Sequence, residues 1–348
     1  DSGKFQQIAL GMLLPDAYGS VLHGAKYFWR SDCGIYRSSD WYASVRMHSE
    51  RTVGFEYTNN ENLLANFSAD GALLLMQHGR EYENIFAHWD WRMVPGTTTY
   101  EDGEPLKCSF DDEGKKNRSA HVGGLADDDV MCTSMELSRD GLHALKSDFF
   151  FDDVVVALGA DIRSSRKEIT RITTAVDQTH LVSEVVSGGN WVNHDGRGYV
   201  SLDGAALNVS TAEQKGRWDL IDPFYKDRWE KGEVFRCWFE HDAVSTGSYA
   251  YALLPCRTAG ETEAFAQDSP VTVLRNDAWC QAVSYRDVLC AVFHLPGEYV
   301  LGGERFVITD PSVCVVRGGK RKVTQLPAVA DRPESTLSFD YGRIADHP

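Results

Sequence analysis

The chain has 348 residues, 43% hydrophobic and 25% charged, and a formal net charge of −16. This suits one large all-β domain or two domains of a globular protein. The acidic balance excludes nucleic acid as the main partner, because neutralising phosphates needs a basic surface; an acidic polysaccharide can still bind where Arg and Lys cluster in one cleft.

Helical periodicity is scarce. Residues 5–14 carry one helix candidate, stopped by Pro15. The pattern then becomes short strands between turn signals, as in a sandwich or barrel. In 41–48, Trp41, Ala43, Val45 and Met47 share one face, and Tyr42, Ser44, Arg46 and His48 the other, polar face. Segments 71–77 and 149–158 are more continuously apolar, as strands covered on both sides are. Asp152-Asp153 interrupts the second as a bulge or turn. Further strands are expected at 169–176, 180–186, 198–202, 234–240 and 248–254. Residues 101–120 read as a long surface loop. A composition shift at 259–270 sets a domain boundary near 265, and a small C-terminal β domain follows, with strands at 271–275, 288–295, 298–301, 305–309 and 313–316.

No run approaches the roughly 18 apolar residues that would span a membrane, so no membrane partner is expected. No signal peptide is visible at Asp1, which leaves a mature, a trimmed or a cytoplasmic chain open. The eight cysteines form no C-x-x-C pair, and Cys237, Cys280, Cys290 and Cys314 lie in apolar runs that suit buried free thiols. N-x-S triplets stand at Asn66, Asn117 and Asn208.

Two segments mix polar groups densely with apolar ones. In 49–70, Glu56, Asn59, Asn60, Glu61 and Asn62 crowd together. Buried polar groups need partners, so this run fails as a core strand; composition favours a solvated turn, and a sugar-binding edge is the functional alternative. In 83–100, Trp89 and Trp91 are expected on one strand face, with His88, Asp90 and Arg92 opposite and Pro95-Gly96 as a turn.

These segments carry a resemblance. The chain resembles the central domain of the family-8 polysaccharide lyases, which include hyaluronate, chondroitin and xanthan lyases. The matches are Y-R-S-S-D-W-Y-A-S-V-R-M (36–47), E-Y-T-N-N-E-N (56–62), I-F-A-H-W-D-W-R-M-V-P-G-T-T (85–98), V-G-G (122–124), F-F-F-D-D-V-V-V-A-L-G-A-D-I (149–162), W-V-N-H-D-G-R-G-Y (191–199) and S-Y-A-Y-A-L-L-P (248–255). Their order makes them specific together. The resemblance implies an all-β fold: a large antiparallel super-sandwich, galactose-mutarotase-like, at 21–265, and a small C-terminal β-sandwich at 266–348. Residues 1–20 would be a linker or the tail of a missing helical domain.

The resemblance also implies β-elimination at a uronic acid, without an organic cofactor, in a secreted or periplasmic enzyme. That reaction needs the uronate carboxylate neutralised, a base for the C5 proton and an acid for the leaving oxygen. In the family an Asn, a His, a Tyr and an Arg from an α/α toroid do this, and that toroid has no counterpart here. The sandwich lends a Glu that orients the cluster and an Asn near the substrate. By motif these are Glu56 and Asn59, with Glu61 and Asn62 as neighbouring candidates and Arg46, His48 and Arg51 supplying positive field at the substrate. His48 is expected to be exposed. The cation that some members bind beside W-D-W is not carried over, so no metal is expected. Two alternatives stand: a non-catalytic carbohydrate-binding or scaffolding module, and a mutarotase-like enzyme using His48 or His194 with a Glu.

Overall fold

The computed structural model describes residues 23–56, 60–106, 108 and 116–327. The helix expected at 5–14, the tail and residues 328–348 lie outside them.

Strands β1 (Gly24–Phe28), β2 (Cys33–Arg37), β3 (Tyr42–Arg46) and β4 (Ala72–Met76) form an antiparallel sheet in that order. Next come β5 (Thr98–Glu101), β6 (Val122–Asp127), β7 (Val130–Arg139), β8 (Leu142–Phe151), β9 (Val154–Ser164), β10 (Arg171–His180), β11 (Val186–Gly188), β12 (Trp191–His194), β13 (Arg197–Ser201), β14 (Asn208–Arg217), β15 (Trp229–His241) and β16 (Gly247–Leu254). They build a four-stranded sheet, β14-β15-β10-β5, and an eight-stranded sheet, β11-β12-β13-β16-β9-β8-β7-β6. Helix α1 (Ala259–Gln267) leads to β17 (Val271–Asn276), β18 (Cys280–Tyr285), β19 (Val288–Phe293), β20 (Gly297–Leu301), β21 (Glu304–Ile308), β22 (Ser312–Arg317) and β23 (Lys320–Gln325). These make a five-stranded sheet, β17-β18-β19-β22-β23, and the β20–β21 ribbon.

The layers explain the sequence pattern. Val155, Ala157, Tyr249 and Tyr251 on one face of the eight-stranded sheet share a core with Val45, Leu73, Phe235 and Phe239 of the two smaller sheets. Val154, Val156, Leu158 and Ala252 on the other face pack on Val283, Cys290 and Val313 of the five-stranded sheet. That sheet turns Ala291, Phe293 and Cys314 to Tyr299 and Phe306 of the ribbon. Strands sandwiched on both sides bury every residue, so 154–158 and 288–293 show no polar alternation. Each fully buried Val, Leu or Phe contributes about 1.5–3 kcal/mol.

Asp152-Asp153 is the turn between β8 and β9. Cys237, Cys280, Cys290 and Cys314 are free and buried. Other expectations are corrected. Residues 181–185 are not strand, because β10 ends at His180 and β11 begins only at Val186. The composition shift after Cys256 is a helix: Thr258 and Glu261 form a capping box that satisfies its first N–H groups. Residues 101–120 are not wholly surface, since Asn117 is 1% exposed. Segment 83–97 holds no strand but a series of turns, with Trp89 N–H donating to the Ile85 carbonyl and Met93 N–H to Asp90. Trp89 and Trp91 still meet, edge to face at 5.2 Å.

Candidate functional site

The segment after β3 leaves the sheet at Arg46 and returns at Ala72. Its base is fastened by Asp32, a buried carboxylate on a left-handed residue (φ 47°). Asp32 accepts from Tyr27 Oη (3.2 Å), Ser49 Oγ (2.7 Å), Thr52 Oγ1 (2.6 Å) and Arg51 Nη2 (2.7 Å). Charge-assisted bonds of this kind hold a loop firmly. Arg51 thus anchors the loop, its charge directed inward to Asp32.

His48 is fully buried, contrary to its expected place on a solvent face. The strand ends at Arg46, so the two-residue alternation no longer governs position 48. Nε2 lies 3.0 Å from Asp70 Oδ1, and Nδ1 accepts the Asn117 N–H at 3.2 Å. A neutral ring in this setting carries its proton on Nε2, facing Asp70. Asn117 Nδ2 also donates to the carbonyls of His48 (3.0 Å) and Glu136 (2.7 Å), which ties the loop to β7. Asn66 and Asn117 are therefore interior side chains, closed to glycan attachment in the folded chain.

Above this base lies the motif loop. Phe55, Ala65 and Cys108 form a small apolar cluster with Trp91 against it, so the two polar-rich segments of the sequence meet in space. Leu63 N–H donates to the Ile221 carbonyl at 2.9 Å, and Cys108 N–H to Leu63 at 2.8 Å. Asn60 and Asn62 have φ of 63° and 57°, left-handed geometry that Asn tolerates better than most residues. Asn62 Nδ2 reaches back to the Glu56 carbonyl at 3.2 Å. Part of the amide density thus serves the turn. Glu56, Glu61 and Asn62 are exposed, as is Arg46 at the end of β3. Asn59 lies outside the described residues.

The neighbouring motif is held by close contact. Gly96 has φ +79°, and a Cβ there would come within 2.5 Å of the Leu73 backbone nitrogen. Buried Lys146 donates to Gly96 O (2.7 Å), Thr98 Oγ1 (3.1 Å) and Tyr249 Oη (3.0 Å), using all three N–H groups. Burial pushes Lys146 down to about 8, against the pull of Asp148 and Asp70. Asp90 caps a turn through Arg92 N–H (2.9 Å) and faces Arg236 at 3.5 Å. Among the described residues, no three His, Cys, Asp or Glu side chains are grouped as metal ligands would be.

The W-V-N-H-D-G-R-G-Y motif is a hairpin that drives Arg197 into the core. Asp177 there accepts from Tyr199 Oη (2.7 Å), Tyr82 Oη (3.1 Å) and Arg197 Nη1 (3.4 Å). His194 is buried and stacks on Phe235 at 4.6 Å; burial, then Arg197, pushes its pKa down to about 4. With His48 and His194 both enclosed, the mutarotase-like use of either imidazole is set aside. Sequence reading missed Asp32 and Asp70 and marked Asn117 only as a glycan-acceptor triplet, since their partners come mainly from other strands and loops.

The family model for polysaccharide lyase family 8, super-sandwich domain, matches residues 23–266. This chain belongs to polysaccharide lyase family 8. It is 32% identical over 335 residues to chondroitinase AC of Pedobacter heparinus, covering 90% of this chain and 47% of that protein. Hyaluronate lyase HylB of Cutibacterium acnes is 30% identical over 281 residues, covering 74% of this chain and 34% of its own length. A structure of chondroitinase AC lyase superposes with a TM-score of 0.80 at 28% identity, over 92% of this chain and 53% of that one. Paenibacillus xanthan lyase shares the fold at a TM-score of 0.77 and 23% identity, over 89% of this chain and 33% of that one. The family 8 chain described here thus spans less than half the length of these curated relatives.

Proposed function

We propose that this chain is the β-sandwich wall of a lyase that cleaves uronic-acid-containing polysaccharides, of the chondroitin or hyaluronan type, by β-elimination. In that reaction a base takes the C5 proton, a C4–C5 double bond forms, and the C4–oxygen bond breaks as its oxygen gains a proton. The observation that carries the reading is the exposed loop around Glu56 and Asn62, fixed on buried Asp32 and Asn117 in a family 8 sandwich. Glu56 would orient the proton-transferring groups, and Asn59 and Asn62 would meet sugar hydroxyls. Those proton-transferring groups would come from an α/α toroid, in a secreted or periplasmic enzyme.

The test is absorbance at about 232 nm, where the unsaturated uronate conjugates with its carboxyl group. It is run on the chain alone and with a toroid domain supplied. Product with the toroid present supports the reading; no product on hyaluronan, chondroitin sulfates or xanthan in either case sinks it. A second reading is a non-catalytic carbohydrate-binding module. It rests on exposed Glu61 and Asn62, whose carboxylate and amide match sugar hydroxyls whether or not a bond is cut. Calorimetry showing oligosaccharide binding in a chain that stays inactive with the toroid would select it.

A further inference from the structure

The β14–β15 hairpin runs beyond the sheet that carries it. The β10–β15 register ends at His180 opposite Val234, while β14 and β15 stay paired out to Arg217 opposite Trp229. Residues 218–228 cap the overhang. Between 220 and 229, Leu220, Phe224, Tyr225 and Trp229 are 47%, 85%, 43% and 60% exposed, a concentration that marks a binding surface rather than scattered apolar residues.

Aromatic rings and arginines stack on one another in this patch. Phe224 and Tyr225 meet edge to face at 5.5 Å, and Trp218 lies 6.1 Å from Tyr225. Arg217 sits over Trp229 and Arg228 over Trp218, both at 5.3 Å. Within 218–229 the charged residues are Lys226 and Arg228 with Asp219, Asp222 and Asp227. Asp222 is occupied in capping Phe224 N–H at 2.9 Å. The cap is continuous with the motif loop, because the Ile221 carbonyl takes the N–H of Leu63, the residue after Asn62.

We propose that this 218–229 cap extends the polysaccharide-binding wall and holds the acidic chain beyond the Glu56–Asn62 loop. The inference rests on the function proposed above. Exposed rings offer flat apolar area to the C–H face of a pyranose. Arg217 and Arg228 each commit one N–H group to a neighbouring carboxylate, Nη2 to Asp219 at 3.1 Å and Nε to Glu230 at 3.0 Å, and a guanidinium with five N–H donors keeps others to meet a uronate carboxylate or a sulfate.

The test uses calorimetry on the chain itself with a hyaluronan tetrasaccharide and dodecasaccharide, comparing the parent with Phe224→Ala/Trp229→Ala and with Arg228→Ala. The expected result is that the parent binds the longer ligand at least about tenfold more tightly, and that the double variant loses most of that gain. Its tetrasaccharide affinity should hold, with a Tm within about 2 °C of the parent. Arg228→Ala, which leaves both rings in place, should lose part of the gain and weaken the salt dependence of binding. A double variant that keeps the dodecasaccharide affinity overturns the inference while leaving the lyase reading intact. A parent that binds neither ligand also overturns the inference, while the toroid-supplied absorbance assay alone decides the lyase reading.

Discussion

His48 Nε2 lies 3.0 Å from Asp70 Oδ1, and neither side chain reaches solvent. Arg139 Nε stands 3.4 Å from the other Asp70 oxygen, with its guanidinium over the Phe67 ring at 5.2 Å. The Asp70 carboxylate thus faces His48 through one oxygen and Arg139 through the other, within a packed interior. Burial pushes the Asp70 carboxyl up, but Arg139 and His48 outweigh it and hold the carboxyl below its ordinary value. A depressed carboxyl contributes stability above its unfolded pKa and loses it as pH falls through the folded value. Asp70→Asn should cost up to about 3–5 kcal/mol at neutral pH, because it leaves buried Arg139 with Asp140 as its remaining carboxylate, 3.5 Å away. Urea denaturation should show that difference narrowing below about pH 4. Equal stability of variant and parent at pH 7 would refute it.

Arg197 and Asp177 form a second buried pair, 3.4 Å apart. Here burial wins over Arg197 and Tyr199, and the Asp177 pKa is raised. Arg197→Met should cost about 3–5 kcal/mol, because Asp177 keeps the Tyr82 and Tyr199 hydroxyls but loses its buried countercharge. Adding Asp177→Asn should recover a substantial part of that loss, since both charges are then gone. A double-mutant cycle by chemical denaturation measures the coupling, and strictly additive losses would contradict it.

His121 and Glu136 sit 3.2 Å apart and partly exposed on the β6–β7 side. The bond between them, against burial, raises His121 and leads the lowering of Glu136 to about 2, which Ser119 assists. The Glu136 contribution is present above its ordinary pKa and lost as pH falls towards about 2. The His121 contribution is present below its ordinary pKa and lost as pH rises through the folded one. The pair should therefore stabilise most between about pH 4.5 and 6.5. In Glu136→Gln, Tm against pH should lose that local gain, and the His121 titration followed by NMR should move down.

Gly96 occupies left-handed backbone against Leu73. Gly96→Ala should destabilise by about 1–3 kcal/mol through strain alone, and more through the clash. Thermal melts check the loss, and a variant as stable as the parent would show that the contact can relax.

In the toroid-supplied assay of the proposed function, Glu56→Gln should lower kcat at least about tenfold. Because Glu56 is exposed, stability should stay within about 0.5 kcal/mol. A large fall in Tm with unchanged kcat would make Glu56 a structural residue.

The amino-acid sequence alone determined the all-β class, the buried thiols, the β8–β9 turn at Asp152-Asp153 and the family motifs. It also carried the core face of β3, because a strand with one wet face writes its period into the sequence. A signal for α1 was present too, in the Thr258/Glu261 capping box, but it was local and short. Only the tertiary structure decided which polar residues face inward. His48 continues the alternation of β3 on paper, yet the strand stops at Arg46 and Asp70 and Asn117 enclose the ring. Trp89 and Trp91 likewise meet through turns instead of along a strand. A charge belongs in the interior when other chain segments bring it a partner, and a run of residues holds no record of partners supplied from as far as 69 positions away.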